Sequence, residues 1–343
     1  MRKFLKPFHG DAVTPPPVWF MRQAGRYLSE YQKLRAEAPD FLAFCYSPDL
    51  TVEATLQPIR RYGFDAAILF SDILVIPDAL GQTVEFKQGI GPVLQPVEDA
   101  AGVDRLSGDG VLDHLAPVFE TLTRLRRELP EETALIGFAG SPWTLAFYMV
   151  EGRGGVDGSK LKRMAYGAPD LFGRMIGMLE DALVVYLARQ VDAGAEVIQL
   201  FDSWAGIADT DLFEKWVIGP TARIVKRLKE KHPHVPVIGF PRKAGVAAVT
   251  YAEKTGVRGL SLDSQTPLKW ARDAVGRDIV LQGNLDNQLL VTGGTALDNA
   301  VLKILADTRD RPFIFNLGHG IVPDTPPENV GRVIDLIRQD KAG

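Results

Sequence analysis

Glu196-Val197-Ile198-Gln199-Leu200-Phe201, followed at once by Asp202-Ser203-Trp204, is the stretch on which the fold turns. An apolar run this short, bounded by a polar turn, suits a strand covered on both faces. In front of it lies Pro169–Ala193, a long helical pattern that stops at Gly194. Behind it comes Pro220–Lys231, a second helical pattern that ends in a basic turn. Helix, strand, turn and helix make one βα unit, and the same unit recurs in both directions along the chain.

Eight apolar runs carry the pattern: Val18–Met21, Ala66–Phe70, Ala134–Phe138, Glu196–Phe201, Val235–Phe240, Gly259–Leu262, Ile279–Leu281 and Phe313–Leu317. Helical patterns lie between them at Pro48–Tyr62, Gly110–Leu129, Pro169–Ala193, Pro220–Lys231, Ala244–Thr255, Thr266–Ala274, Ala296–Asp307 and Pro326–Arg338. The second of these ends in Arg126-Arg127-Glu128-Leu129-Pro130, where the proline is a stop signal. Eight alternations in 343 residues predict an α/β chain folded as a single (β/α)8 TIM-type barrel, one domain over residues 1–343. An open doubly wound sheet is the alternative that such a count leaves.

Two stretches break the period. Ile76–Pro96 is rich in Gly and Pro and contains Thr83–Phe86 and Val93–Gln95, which predicts a β-hairpin inserted after the second strand. Glu151–Ser159 holds four glycines in nine residues and reads as a lid loop over a site or a plain flexible linker. It lacks the lysine and hydroxyl arrangement of a P-loop.

Hydrophobic residues make up 46% of the chain and charged ones 24%, an ordinary globular balance, and the net charge is −4. No global basic field for nucleic acid exists, so any anion must be held by local arginines against the overall sign. The single cysteine, Cys45, lies between Phe44 and Tyr46 and reads as a buried structural thiol, and one thiol fits a reducing cytosol. Met1–Lys6 lacks the apolar core of a signal peptide, and no apolar run approaches a membrane span. The histidines are His9, His114, His232, His234 and His319, and none forms a convincing metal set. No dinucleotide fingerprint follows a strand.

In such a barrel the site is built from loops at the carboxyl ends of the strands. The residues there are Arg22, Gln23 and Arg26; Ser71-Asp72; Ser141, Trp143, Thr144 and Tyr148; Asp202-Ser203-Trp204; Pro241-Arg242-Lys243; Asp263-Ser264; Asn284 and Asp286; and Gly318-His319-Gly320. Arg35 follows nine residues after Arg26. Arginine's planar fork grips carboxylates and phosphates through paired hydrogen bonds, so this inventory suits a polyanion. Solvated surface charge is the bland reading of the same arginines. Asp202, Asp263 and Asp286 read as helix caps or turn formers. Asp72 differs, because apolar Ile73-Leu74-Val75-Ile76 follows it, and a charge there needs a partner or a role. Ser203 has no adjacent base and reads as a hydrogen-bonding group. His319 sits between glycines, which leaves its ring unscreened, and Tyr148 reads as core or site.

Pro17-Val18-Trp19-Phe20-Met21-Arg22-Gln23-Ala24-Gly25-Arg26 resembles the first signature of the uroporphyrinogen decarboxylase family. Gly137-Phe138-Ala139-Gly140-Ser141-Pro142-Trp143-Thr144-Leu145, with Tyr148–Gly152, resembles its second. Phe70–Leu74, Phe201–Gly206 and Asn316–Gly320 are similar to further family segments in the same order, and the resemblance spans roughly Phe8 to Ile337. It implies a (β/α)8 barrel, a cytoplasmic homodimer, and a carboxy-lyase without cofactor or metal. The reaction it implies removes CO2 from the four acetate arms of uroporphyrinogen III to give coproporphyrinogen III. Carried over by position, it implies substrate contacts at Arg22, Gln23, Ala24, Gly25, Arg26, Arg35, Asp72, Tyr148, Ser203 and His319, with Asp72, Arg22 and Arg26 in catalysis. A thiol or corrinoid methyltransferase on the same barrel needs a zinc held by His and Cys ligands, a set that a chain with one thiol does not supply. A non-catalytic tetrapyrrole carrier using the same arginines is the other reading.

Overall fold

A computed structural model describes residues 1–87 and 89–340. The strands among the described residues are β1 (Ala66–Ile68), β2 (Val84–Lys87), β3 (Gly91–Leu94), β4 (Ala134–Gly140), β5 (Val197–Asp202), β6 (Val237–Pro241), β7 (Gly259–Ser261), β8 (Val280–Leu285) and β9 (Phe313–Leu317). Seven of them form one parallel sheet in the order β1-β4-β5-β6-β7-β8-β9. Sequential order with every neighbour parallel requires a helical return after each strand, and the helices Pro48–Tyr62, Pro169–Asp192, Gly219–Lys231 and Pro327–Gln339 are among those returns.

The eighth position is filled by the first apolar run, which is shorter as a strand than Val18–Met21. It pairs through one bridge, Val18 with Phe315. On that side Trp19 N–H donates to the Phe315 carbonyl at 3.3 Å and Phe315 N–H to the Pro17 carbonyl at 2.8 Å. On the other side Asp65 N–H donates to the Val18 carbonyl at 3.0 Å, and the Asp65 carboxylate accepts Val18 N–H at 2.8 Å. These bonds span the gap between β9 and β1 and close a (β/α)8 barrel. The ladder stops there because Pro15-Pro16-Pro17 offers no N–H donors and the chain turns at Phe20–Gln23, where Arg22 has φ 60°.

Alternate strand residues face the barrel interior. Ala66, Ala134, Val197 and Val280, each the first residue of its strand, pack with Phe4 and Phe8 of the N-terminal 3-10 turn Lys3–His9. That turn plugs the amino end of the barrel and leaves the carboxyl end free for a site. One layer further up the interior becomes polar: Trp19 Nε1 donates to Gln282 Oε1 at 2.8 Å, and Gln282 Nε2 donates to Gln199 Oε1 at 3.0 Å and to the Ser261 hydroxyl. Buried amides so paired cost little and fix register, whereas unpaired they would destabilise the barrel. The outward residues Ile198, Leu200, Leu281, Phe313 and Phe315 pack against the helices, each side chain contributing about 1.5–3 kcal/mol of burial.

Three expectations shift. Gly110–Leu129 divides into helices Val111–His114 and Ala116–Glu128, since Pro117 lacks an N–H and starts a new helix in its first turn. The apolar run after Asp72 is a short helix, Val75–Ala79, and the insert follows it. The inserted hairpin pairs β2 with β3 antiparallel, one or two residues away from the expected bounds, and Gln88 lies outside the described residues. The remaining helices fall within a few residues of their sequence-read limits.

Candidate active site

The loop after the first strand position is held open by its neighbours. Met21 N–H donates to Asn316 Oδ1 at 3.1 Å and Ile321 N–H to the Met21 carbonyl at 2.9 Å. Gln23 is buried, its amide donating to the Ala66 carbonyl at 3.2 Å and accepting Phe20 N–H at 3.2 Å. The Gln23 side chain therefore staples the barrel wall and does not face the mouth. Next to it, the N–H groups of Ala24, Gly25 and Arg26 donate to nothing among the described residues. A row of free backbone donors at a turn suits a carboxylate.

Arg22 and Arg26 are exposed, and Arg22 runs over Gly320, where an added Cβ would lie 2.6 Å from Arg22 Cδ. Arg35 ends the helix Ser29–Arg35, half-buried, its Nη1 on the Ala38 carbonyl at 3.0 Å and its guanidinium 5.8 Å from the ring centres of Phe41 and Phe44. Stacking on rings holds the fork in place at small entropic cost.

Asp72 follows β1, half-buried, its Oδ1 accepting Leu74 N–H at 2.9 Å. Burial pushes its carboxyl up from the usual range, while the Leu74 N–H and Arg22 pull it back. Its charge is felt on two sides. On one side it acts on Tyr31, together with Arg35 and Arg26, and on the buried Cys45, whose thiol burial pushes well up. Tyr31 belongs to an aromatic wall with Phe44 and Phe70, ring centres 5.1–5.9 Å apart. On the other side Asp72 acts on Tyr148, which burial pushes up and which Arg22 and Arg242 pull down. His319, half-buried, is pushed down to about 3 by burial and then by Arg242, Arg22 and Lys243, so its ring is neutral. The mouth thus has an Arg26–Arg35 flank around Tyr31 and an Arg22–Arg242 flank around Tyr148, and the charge of Asp72 reaches both tyrosines.

Tyr148 and Ser203 are carried by adjoining segments. Tyr148 lies on the helix Pro142–Glu151, edge-on to Phe147 and to Trp204 at 5.5 and 6.3 Å. Trp204 stacks on Phe147 at 3.8 Å, and its carbonyl accepts Trp143 Nε1–H at 3.1 Å, which fixes the Ser203 turn against that helix. The glycine-rich loop beyond is tied to the hairpin: Leu94 N–H donates to the Gly152 carbonyl at 2.7 Å, and Arg153 bridges to Val93. Gly154 lies against the Tyr148 ring.

Of the three aspartates read as caps or turn formers, two are so. Asp286 caps Asn287–Thr292 through Gln288 N–H, and Asp263 closes a turn through Gln265 N–H and the Thr266 hydroxyl. Asp202 caps nothing: it is fully buried at the end of β5, bound to the Thr144 hydroxyl, with its other oxygen unpartnered. Arg242, which belongs to the strand-end inventory but not to the substrate contacts that the resemblance implies, stands on the mouth just past β6. Among the described residues no group of three or more His, Cys, Asp or Glu side chains is placed to hold a metal.

The family model described as uroporphyrinogen decarboxylase (URO-D) matches residues 1–339. The chain belongs to the uroporphyrinogen decarboxylase family. Within it, the uroporphyrinogen decarboxylase of Rhodospirillum rubrum is 53% identical, over 98% of this chain and 97% of its own. That of Brucella anthropi is 50% identical over 99% of both chains. Among solved structures, a methyltransferase from Methanosarcina mazei superposes with a TM-score of 0.74 at 17% identity, covering 89% of each chain. At that identity the likeness speaks for the barrel alone. No helix among the described residues is long and apolar enough to cross a membrane.

Proposed function

We propose that this protein is a uroporphyrinogen decarboxylase, a cofactor-free carboxy-lyase that converts the four acetate arms of uroporphyrinogen III to methyl groups, giving coproporphyrinogen III. The observation that carries the reading is Asp72, a half-buried carboxylate whose charge reaches both arginine flanks' tyrosines, Tyr31 and Tyr148, in a barrel of this family. The substrate has eight carboxylates around four pyrroles. Arg22, Arg26, Arg35 and the free N–H groups of Ala24 and Gly25 bind its arms; Gln23 serves by holding that turn, and Tyr148, Ser203 and His319 supply neutral polar contacts.

Decarboxylation needs a place for the electron pair of the breaking C–CO2 bond. A proton added to a pyrrole carbon makes the ring cationic, and the pair then flows into the ring as CO2 leaves. A second proton turns the exocyclic methylene into methyl, and the ring carbon returns the first. Asp72, beside the pyrrole nitrogens, stabilises the cation as it develops. Arg22 and Arg26 take part as the groups facing the acetate and the ring carbon, with an arginine or a water held there as proton donor. The same proposal includes one catalytic domain, a homodimer and a cytoplasmic location, as a cofactor-free enzyme of tetrapyrrole synthesis.

The test is anaerobic incubation with reduced uroporphyrinogen III, followed by chromatography of products by carboxylate number, before and after dialysis against a strong chelator. Stepwise loss to four carboxylates at an unchanged rate is expected. Binding without CO2 release would make the protein a carrier, and activity lost to the chelator and restored by zinc would overturn the cofactor-free reaction.

A further inference from the structure

We propose that Arg242 is a further substrate anchor, holding a carboxylate arm of the tetrapyrrole on the flank of the mouth across from Arg26 and Arg35. This rests on the decarboxylase reading above and adds a residue to it.

The backbone at Arg242 is clamped. Its N–H donates to the Asp202 carbonyl at 3.1 Å and to the Phe240 carbonyl at 3.0 Å, and its carbonyl accepts Gly206 N–H at 3.0 Å. The next residue, Lys243, has φ 62°, and its N–H donates to Asp263 Oδ2 at 2.6 Å. The approach requires glycine at 206, where an added Cβ would lie 2.5 Å from Lys243 Cβ and 2.6 Å from its carbonyl oxygen. Ends of β5, β6 and the turn after β7 are thereby locked together, and the base of the Arg242 side chain is fixed.

Its guanidinium, in contrast, is unengaged. It is half-buried and makes no hydrogen bond or ion pair among the described residues. Asp263 is the one acid whose charge acts on it, and both Asp263 oxygens already accept: Oδ2 from Lys243 N–H, Oδ1 from Gln265 N–H at 3.0 Å and the Thr266 hydroxyl at 3.2 Å. Burial pushes the Arg242 guanidinium down from its usual range, and Arg22 adds to that. A half-buried cation on a rigid base, beside a second cation and without a partner, is destabilising unless a ligand brings the anion. Its position immediately after β6, and its charge acting with that of Arg22 on Tyr148 and His319, put it on the same mouth as those residues. Three arginines cannot match eight carboxylates, and on this flank Arg22 would otherwise be the one arginine anchor.

The experiment uses full-length wild type, Arg242→Ala, Arg242→Gln and Arg242→Lys. It measures kcat and KM for uroporphyrinogen III and Kd for coproporphyrinogen III, anaerobically, with melting temperatures for each. For Arg242→Ala we expect KM to rise ~10-fold or more, the effect of one charge-assisted contact, with kcat changed far less. Lys should recover part of the affinity and Gln little, with melting temperatures near wild type; Gln and Lys carry the test where Ala lowers the melting temperature. If coproporphyrinogen binding weakens in parallel, the arm is a propionate, because the product retains only those; if it does not, the arm is an acetate. KM and Kd both within about twofold of wild type in Ala and Gln would overturn the assignment. Wild type inert toward uroporphyrinogen would instead overturn the decarboxylase reading itself.

Discussion

Thr144 Oγ1 donates to Asp202 Oδ1 at 2.5 Å while accepting Trp204 N–H at 3.0 Å. One hydroxyl thus joins the end of β5 to the helix Pro142–Glu151, the two elements that carry Ser203 and Tyr148. Asp202 is fully buried, and burial pushes its carboxyl up to about 7, with Thr144 pulling the other way.

A stability test follows from Asp202. The unfolded carboxyl titrates near 3.9, so between that value and about 7 the unfolded chain loses a proton that the folded chain keeps. The contribution is fully present below the unfolded value and is lost as pH rises through about 7, on the order of 4 kcal/mol across the window. Asp202→Asn should therefore flatten the fall in urea stability between pH 4 and 7.5, compared with wild type. Parallel curves for the two proteins would show that Asp202 ionises normally in the fold.

For Asp72→Asn we expect a folded protein with most turnover lost. Asn keeps the shape and one acceptor but carries no charge and points a donor at pyrrole donors. Removal of such a stabilising group typically costs about 3–4 kcal/mol, roughly 10²–10³ in rate. Affinity for coproporphyrinogen should fall much less, since the arms are held elsewhere. Single-turnover decarboxylation and product binding report the two effects, and near-normal turnover would return Asp72 to a structural role.

Replacing Arg22, Arg26 or Arg35 by Ala should weaken substrate binding and lower the rate, by about 1.5–3 kcal/mol for each charge-assisted contact. Lys should substitute poorly at Arg35, where the stacked fork between Phe41 and Phe44 has no counterpart in an ammonium. Steady-state kinetics on the alanine variants decide; unchanged constants in all three would mark these as surface charges.

His319 supplies a pH test of opposite character. Its ring is pushed down to about 3, so the free enzyme holds it neutral throughout the working range. The pH profile of kcat/KM, which reports the free enzyme, should carry no inflection from it, and His319→Gln should keep the profile's shape between pH 5.5 and 8.5. A wild-type fall near pH 6.5 that vanishes in the Gln variant would show that the charged ring is used.

The sequence by itself determined the barrel and most of its mouth. Short apolar runs such as Phe313–Leu317 and amphipathic stretches such as Pro48–Tyr62 are local signals, and both elements form with those limits. Arg22, Arg26, Asp72 and His319 were legible because they follow such runs, and parallel strands send their carboxyl ends to one face. Only the tertiary structure decided the rest. It reduced the first strand to a bridge at Val18, since pairing depends on the partner at Phe315 and on prolines that cannot donate. It turned Ile73–Ile76 toward a helix, since a short apolar run has no period of its own. It placed the Gln23 amide in the barrel wall, buried Asp202 beneath Thr144, and left Arg242 unpaired on the mouth. In each case the role rests on neighbours far away in the chain, so no local pattern of residues encodes it.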